Sequence, residues 1–177
     1  MKRLSGALFA ACVLLALATV AAACDSDGSD GRAREYFEEI VEIVGQYGAD
    51  VEAAQAIYDG VLAADLGEEE EIRAFLLLLE TSSKSIRAEI ADREKVDPPP
   101  EIEEAHLDLL AAARLVAKVY EDTLEGASDA TTASELGQAL QAVDYGTRLE
   151  EVQGQAEQAC TRLQALADEE GIEAQVC

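Results

Sequence analysis

From Phe37 to Leu166 the apolar residues of this chain recur every three to four positions, a spacing that places them along one side of a helix. Four such stripes can be read. The first holds Phe37, Ile40, Val41, Val44, Tyr47, Val51, Ala54, Tyr58 and Val61. Gly45 and Gly48 interrupt it and predict a kink, because glycine weakens a helix interior by about 1 kcal/mol relative to alanine. Gly67 ends this segment or its loop, and Glu68–Glu71 open the second helix, whose first turn favours negative charge. The second stripe is Ile72, Phe75, Leu76, Leu79, Ser83, Ile86 and Ile90; it breaks before Pro98, Pro99 and Pro100, which cannot continue a helix. Pro100 suits the first position of the third helix, followed by Glu101, Glu103 and Glu104 in its first turn. The third stripe runs Ile102, His106, Leu109, Leu110, Ala113, Val116, Tyr120 and Leu124, and Gly126 closes it.

A fourth helix is expected to start between Asp129 and Thr132, which supply capping side chains. Its stripe is Leu136, Leu140, Val143, Val152, Ala156, Ala159, Leu163 and Leu166, and it ends at Gly171. Gly137, Gly146 and Gly154 lie within it and weaken its straightness. No stretch alternates as a strand does. Four stripes that all need burial, joined by short connections, predict an all-α fold, an antiparallel four-helix bundle with a disulfide-clipped C-terminal tail.

The first 23 residues read as a lipoprotein signal peptide. Lys2 and Arg3 hold the start of the chain on the cytoplasmic side, and Leu4–Val20 form an apolar stretch shorter than the roughly 20 residues of a permanent span. Ala21, Ala22 and Ala23 then precede Cys24, small residues that fit the narrow pocket of a lipoprotein signal peptidase. Ala21 stands where the preferred motif has leucine, so a plain A-x-A site, also cut before Cys24, is the competing reading. Cysteine arithmetic bears on the choice. Cys12 is discarded with the leader, which leaves Cys24, Cys160 and Cys177, an odd number for an oxidising compartment. Lipidating Cys24 leaves one pair, Cys160 with Cys177. The helix from Cys160 to its end spans roughly 15 Å, and residues 172–177 reach back about 20 Å when extended. The pair can therefore close, with a stabilisation on the order of 3 kcal/mol.

Removing residues 1–23 takes away two basic residues and no acid, leaving 11 basic against 37 acidic side chains and a net charge near −26. A surface this negative repels nucleic acid and anionic head groups, so nucleic acid is excluded as a partner. Residues 24–34 read as a flexible acidic tether, and residues 35–177 as the bundle domain. The stretch D-S-D-G-S-D-G-R-A-R (Asp25–Arg34) superficially follows a calcium loop. Asp30 stands where that template needs glycine, and Tyr36 where it needs glutamate, so the match fails.

Catalytic inventory is thin. Glu103 and His106 form an E-x-x-H pair on one helical face, the arrangement that di-iron bundles use for metal. A di-iron site takes two such motifs, and His106 is the only histidine of the chain. A mononuclear site using Glu103, His106 and a third carboxylate stands beside the structural alternative, a histidine at the edge of the core. Thr81, Ser82, Ser83 and Ser85 cluster on a polar part of the second helix without a histidine to activate them. There is no glycine-rich phosphate loop and no zinc spacing. The chain is expected to be no enzyme and to need no cofactor.

Two segments carry a resemblance. P-P-P-E with a histidine on the next helix (Pro98 to His106), and C-x-x-L-Q-x-x-A followed by G-I and a final cysteine (Cys160 to Cys177), resemble uncharacterised helical lipoproteins of high-GC, actinobacteria-like organisms. The likeness covers the signal, the third helix and the C-terminus. It implies the compartment and the bundle and brings no activity. The expected function is a lipid-anchored, extracytoplasmic, non-enzymatic module on the outer face of the cell membrane, held by a lipid on Cys24 and binding a protein or small-molecule partner. The alternative is a cation- or metal-handling surface protein using His106 and acidic neighbours.

Overall fold

The first three apolar stripes each become one helix in the structure, a computed structural model that describes residues 28–172, and the fourth becomes two. Among the described residues five helices form: α1 (Gly28–Ala64), α2 (Glu68–Arg93), α3 (Glu103–Ala127), α4 (Ala133–Ala142) and α5 (Tyr145–Glu169). Among the described residues there is no strand.

The α1–α2 turn is made by Asp65 and Gly67, both at positive φ (50° and 113°), the second a value that glycine adopts without a Cβ penalty. α2 then opens on Glu68–Glu71 as expected. Side-chain pairs give the helix directions. Tyr47 donates to Asp92 and Tyr58 packs near Phe75, so α1 and α2 are antiparallel. Arg114 pairs with Glu94 and Arg87 with Glu121, which sets α3 antiparallel to α2. Arg162 pairs with Glu104 and Arg148 with Asp122, which sets α5 antiparallel to α3.

Three boundaries differ from expectation. The stretch read as a tether is helical from Gly28, and Ala33 is fully buried, so residues 28–34 belong to the domain. The reason is packing: Ala33, Tyr36, Phe37 and Ile40 share one face, and burying the first of them requires helix on both sides of it. α1 also runs unbroken through Gly45 and Gly48. α3 begins at Glu103, later than Pro100, because the carbonyl of buried Pro99 accepts from the N–H groups of Ile102 and Glu103 (2.9 and 3.0 Å) in a turn that precedes the helix.

A fourth difference is larger. The fourth stripe is two helices, α4 ending at Ala142 and α5 starting at Tyr145, which is buried in the core together with Leu149. Asp144 takes the left-handed conformation (φ 50°), which aspartate tolerates better than most residues. Arg148, from the first turn of α5, donates to the carbonyl of Val143 (3.3 Å) and pairs with Asp122 on α3 (2.8 Å). One guanidinium therefore satisfies the end of α4 and ties it to the neighbouring helix. At its other end α4 has a capping box. Thr132 accepts from the N–H of Glu135, and the Glu135 carboxylate accepts in return from the backbone of Thr131 and Thr132. Those bonds, the backbone N–H of Thr131 first, hold the Glu135 carboxyl below its ordinary range. α5 ends at Gly171 (φ 69°), with N–H bonds from Gly171 to Asp168 and from Ile172 to Ala167 that form a Schellman motif.

The core has two parts. One gathers Tyr36, Phe37, Ile40, Ile102, Leu109 and Leu163 from α1, the approach to α3, α3 and α5. The other gathers Leu79, Val119, Tyr120, Tyr145, Leu149 and Val152 from α2, α3 and α5.

Candidate functional site

Charge is distributed unevenly over this surface. Every lysine and arginine from Arg73 onward sits in an ion pair: Arg73 with Glu69 (2.7 Å), Arg93 with Glu89 (2.8 Å) and Arg162 with Glu104 and Asp108 (2.7 and 3.1 Å), for example. Between Arg34 and Arg73 the sequence holds no basic residue. Among the described residues, none of the α1 carboxylates from Glu35 to Asp59 is in an ion pair.

The outward side of α1 changes character at Gly45. At 3.6 residues per turn, the solvent-facing sector, roughly 120° wide, holds Glu35, Glu38, Glu39 and Glu42 in its first half. The same sector then holds Gly45, Gln46, Ala49, Ala53, Ala56, Ile57, Gly60, Ala63 and Ala64, all exposed and none charged. Asp50 borders one edge of this strip, and Glu52 and Asp59 border the other. Ile57 is 51% exposed. Leu62, Leu66 and Leu77 add further exposed apolar surface at the same end of the α1–α2 hairpin. The two exposed leucines of α3, Leu107 and Leu115, stand instead among Glu103, Glu104, Asp108, Arg114 and Lys118, and scattered apolar residues of that kind are ordinary.

Alanine on a solvent face is explained by helix propensity alone; glycine is not. A Cβ added at Gly45 or at Gly60 would meet nothing within 4 Å, and neither residue has positive φ. Among the described residues, nothing requires glycine at either place.

The sequence-derived site residues lie elsewhere. His106 is buried at the start of α3, with Nδ1 3.0 Å from Tyr36 Oη on α1 and the two rings edge to face. Burial, helped by the Arg93 guanidinium, holds the imidazole below its ordinary range, while burial pushes the Tyr36 hydroxyl well up. Glu103 is exposed while His106 is turned into the core. No group of three or more His, Cys, Asp or Glu side chains able to hold a metal occurs among the described residues. Arg93 is itself buried; Glu89 receives its Nε and Nη2, and its Nη1 has no protein partner.

The hydroxyls expected on a polar part of the second helix are also inside. Ser82, Ser83 and Ser85 are buried, and Ser85 donates to the carbonyl of Tyr47 (2.8 Å), locking α2 to α1. Cys160 is half-buried on α5; Cys24 and Cys177, with the leader and the residues after Ile172, fall outside the described residues. An open cleft of about 520 Å³ lies between α4 and the start of α5. Ser134, Gly137, Gln138, Asp144, Gly146 and Thr147 are among the residues that line it, and Asp144 is its one charged residue, so it offers no acid–base pair.

No protein-family model, curated protein or solved structure matches the chain.

Proposed function

We propose that the chain is a non-enzymatic interaction module, lipid-anchored through Cys24 on the extracytoplasmic face of the cell membrane, that docks a partner on the second half of α1. One observation carries the reading: the outward side of α1 passes from four glutamates to nine uncharged residues within a single unbroken helix. An acidic chain that needed only solubility would keep its carboxylates along the whole face. An uncharged strip with an exposed isoleucine removes the charge from the one surface where a partner must be desolvated. In this reading α1, α2, α3 and α5 close as an antiparallel four-helix bundle, and a Cys160–Cys177 disulfide clips the tail. The lipobox, the cysteine count and the resemblance to helical lipoproteins support the compartment.

The cation-handling alternative gains nothing from the surroundings of His106. A second cation there would be opposed by the buried Arg93 guanidinium.

The test combines mass and crosslinking on protein made in its own cells. Intact mass of the chain purified from membranes in detergent is expected to start at Cys24, carry added acyl mass and lie two hydrogens below the reduced value. A photo-crosslinking residue at Ala53 is expected to capture a partner, and the same residue at Glu38 to capture none. An unlipidated chain would end the anchoring reading. A membrane-bound, folded chain that gives no adduct from Ala53 would end the docking reading.

A further inference from the structure

We infer that the partner is a basic amphipathic helix, which lays an apolar face on the uncharged strip of α1 and pairs its flanking lysines or arginines with the carboxylates at the strip's edges. The inference rests on the docking reading above and adds what the occupant is made of.

Shape comes first. The strip from Gly45 to Ala64 is about 28 Å long, or some five turns of helix at 1.5 Å per residue. Its side chains are small apart from Ile57 and Gln46. A convex ridge of glycine and alanine is a poor pocket for a small molecule, but it lets a second helix approach toward the short end of the 8–10 Å interaxial range. Among the described residues nothing lies within 4 Å of a Cβ built at Gly45 or Gly60, as is also true of Gly48, Gly137, Gly146 and Gly154, so these two glycines keep the strip low without filling a contact.

Charge then selects among helices. Asp50 lies along one edge of the strip and Glu52 and Asp59 along the other; Asp50 and Asp59 are exposed, and none of the three has an ion-pair partner. A second copy of this chain brings the same acidic edges and is repelled. An anionic membrane surface is repelled for the same reason. A helix with cationic edges meets unpaired carboxylates on both sides and is also steered toward the strip from a distance. A single helix-on-helix contact of this length falls short of the roughly 1,000 Å² that a stable interface buries, which makes the complex transient.

The experiment uses the full chain purified from membranes in detergent and two synthetic helices of equal length. Both peptides carry the same alanine–leucine face; one is flanked by lysines and the other by glutamates at the same positions. Fluorescence anisotropy is expected to show binding of the lysine peptide that weakens several-fold between 50 and 200 mM salt, as about two screened charge pairs require. The glutamate peptide is expected to bind about tenfold more weakly. In the double variant Asp50→Lys/Asp59→Lys, at exposed positions that leave the core untouched, the preference is expected to reverse. Gly60→Leu is expected to weaken both peptides by filling the approach. Equal binding of both peptides, unchanged in the Lys variant, would overturn the basic partner while leaving docking on α1 intact. Binding of neither peptide, with Ala53 crosslinking a segment that lacks lysine and arginine, would also overturn the basic partner alone. Binding of neither, with Ala53 silent in the crosslinking test, would remove the docking reading as well. A dimer in sedimentation that is lost in Gly60→Leu would overturn the inference in favour of a second copy.

Discussion

Replacing Gly45 and Gly60 with alanine should stabilise this protein. Both residues lie inside α1, both are exposed, neither has positive φ, and a Cβ at either would touch nothing within 4 Å. The gain is therefore the helix-propensity difference without a steric penalty or a packing bonus, about 0.8–1 kcal/mol at each site. Part of it arises in the unfolded chain, which loses conformational freedom when glycine is removed. The sites are fifteen residues apart, roughly 22 Å along the axis, so their effects should add. The double variant is expected to gain just under 2 kcal/mol. For a domain of this size, that raises the thermal midpoint by about 4–8 °C. Urea unfolding followed by circular dichroism is the assay, with the midpoint rising and the slope unchanged. An unchanged or lowered midpoint would refute the reasoning, because α1 would then be non-helical at these positions or in contact with something a methyl group disturbs.

Other substitutions test the frame around the strip. His106 titrates below its ordinary value because it is buried near Arg93, with Tyr36 as its hydrogen-bond partner. The unfolded chain therefore takes up its proton first, and the histidine's contribution is present above about pH 6.5 and lost as the pH falls through it. The fall in urea midpoint from pH 7.5 to 5.5 should be smaller in His106→Gln than in the parent, and equal falls would exclude the histidine as the cause. Leu163 is fully buried among α1, α3 and α5 residues, and Leu163→Ala should destabilise by about 2–5 kcal/mol in the same assay. Thr132→Ala removes the capping box of α4 and should lower stability by about 1 kcal/mol; no change would mean that α4 is held from its other end alone.

The helices were legible wherever their ends are encoded by the residues standing there. Gly67, the run of prolines from Pro98, Gly126 and Gly171 are local stop signals, and α1, α2, α3 and α5 each end within about five residues of one. Features that depend on distant residues were not legible. The break at Asp144 is held by Arg148, whose guanidinium reaches back to Val143 and across to Asp122 on α3. Ser82 and Ser85 read as part of a polar cluster, yet both are buried, as Ser83 on the stripe is, because two neighbouring helices flank α2. His106 was placed correctly on an apolar stripe, while its partner Tyr36 lies 70 positions away and could not be named from spacing. The stretch without lysine or arginine before Arg73 is visible in the sequence. It acquires meaning only when burial tells which of its residues face outward.

The continuity of α1 also makes it a ruler. Three residues of sequence separate Cys24 from Gly28, and from there the helix runs 37 residues without interruption, about 55 Å. With a lipid on Cys24, the glutamate-bearing half stands nearest the anchored end, and the uncharged strip begins about 25 Å further along the axis. The field of anionic head groups decays over about 8 Å at physiological salt. With that anchor and α1 upright, the strip would stand beyond the range in which phospholipid competes for the cationic helix proposed above, and the length of one helix would set the height at which the protein is met.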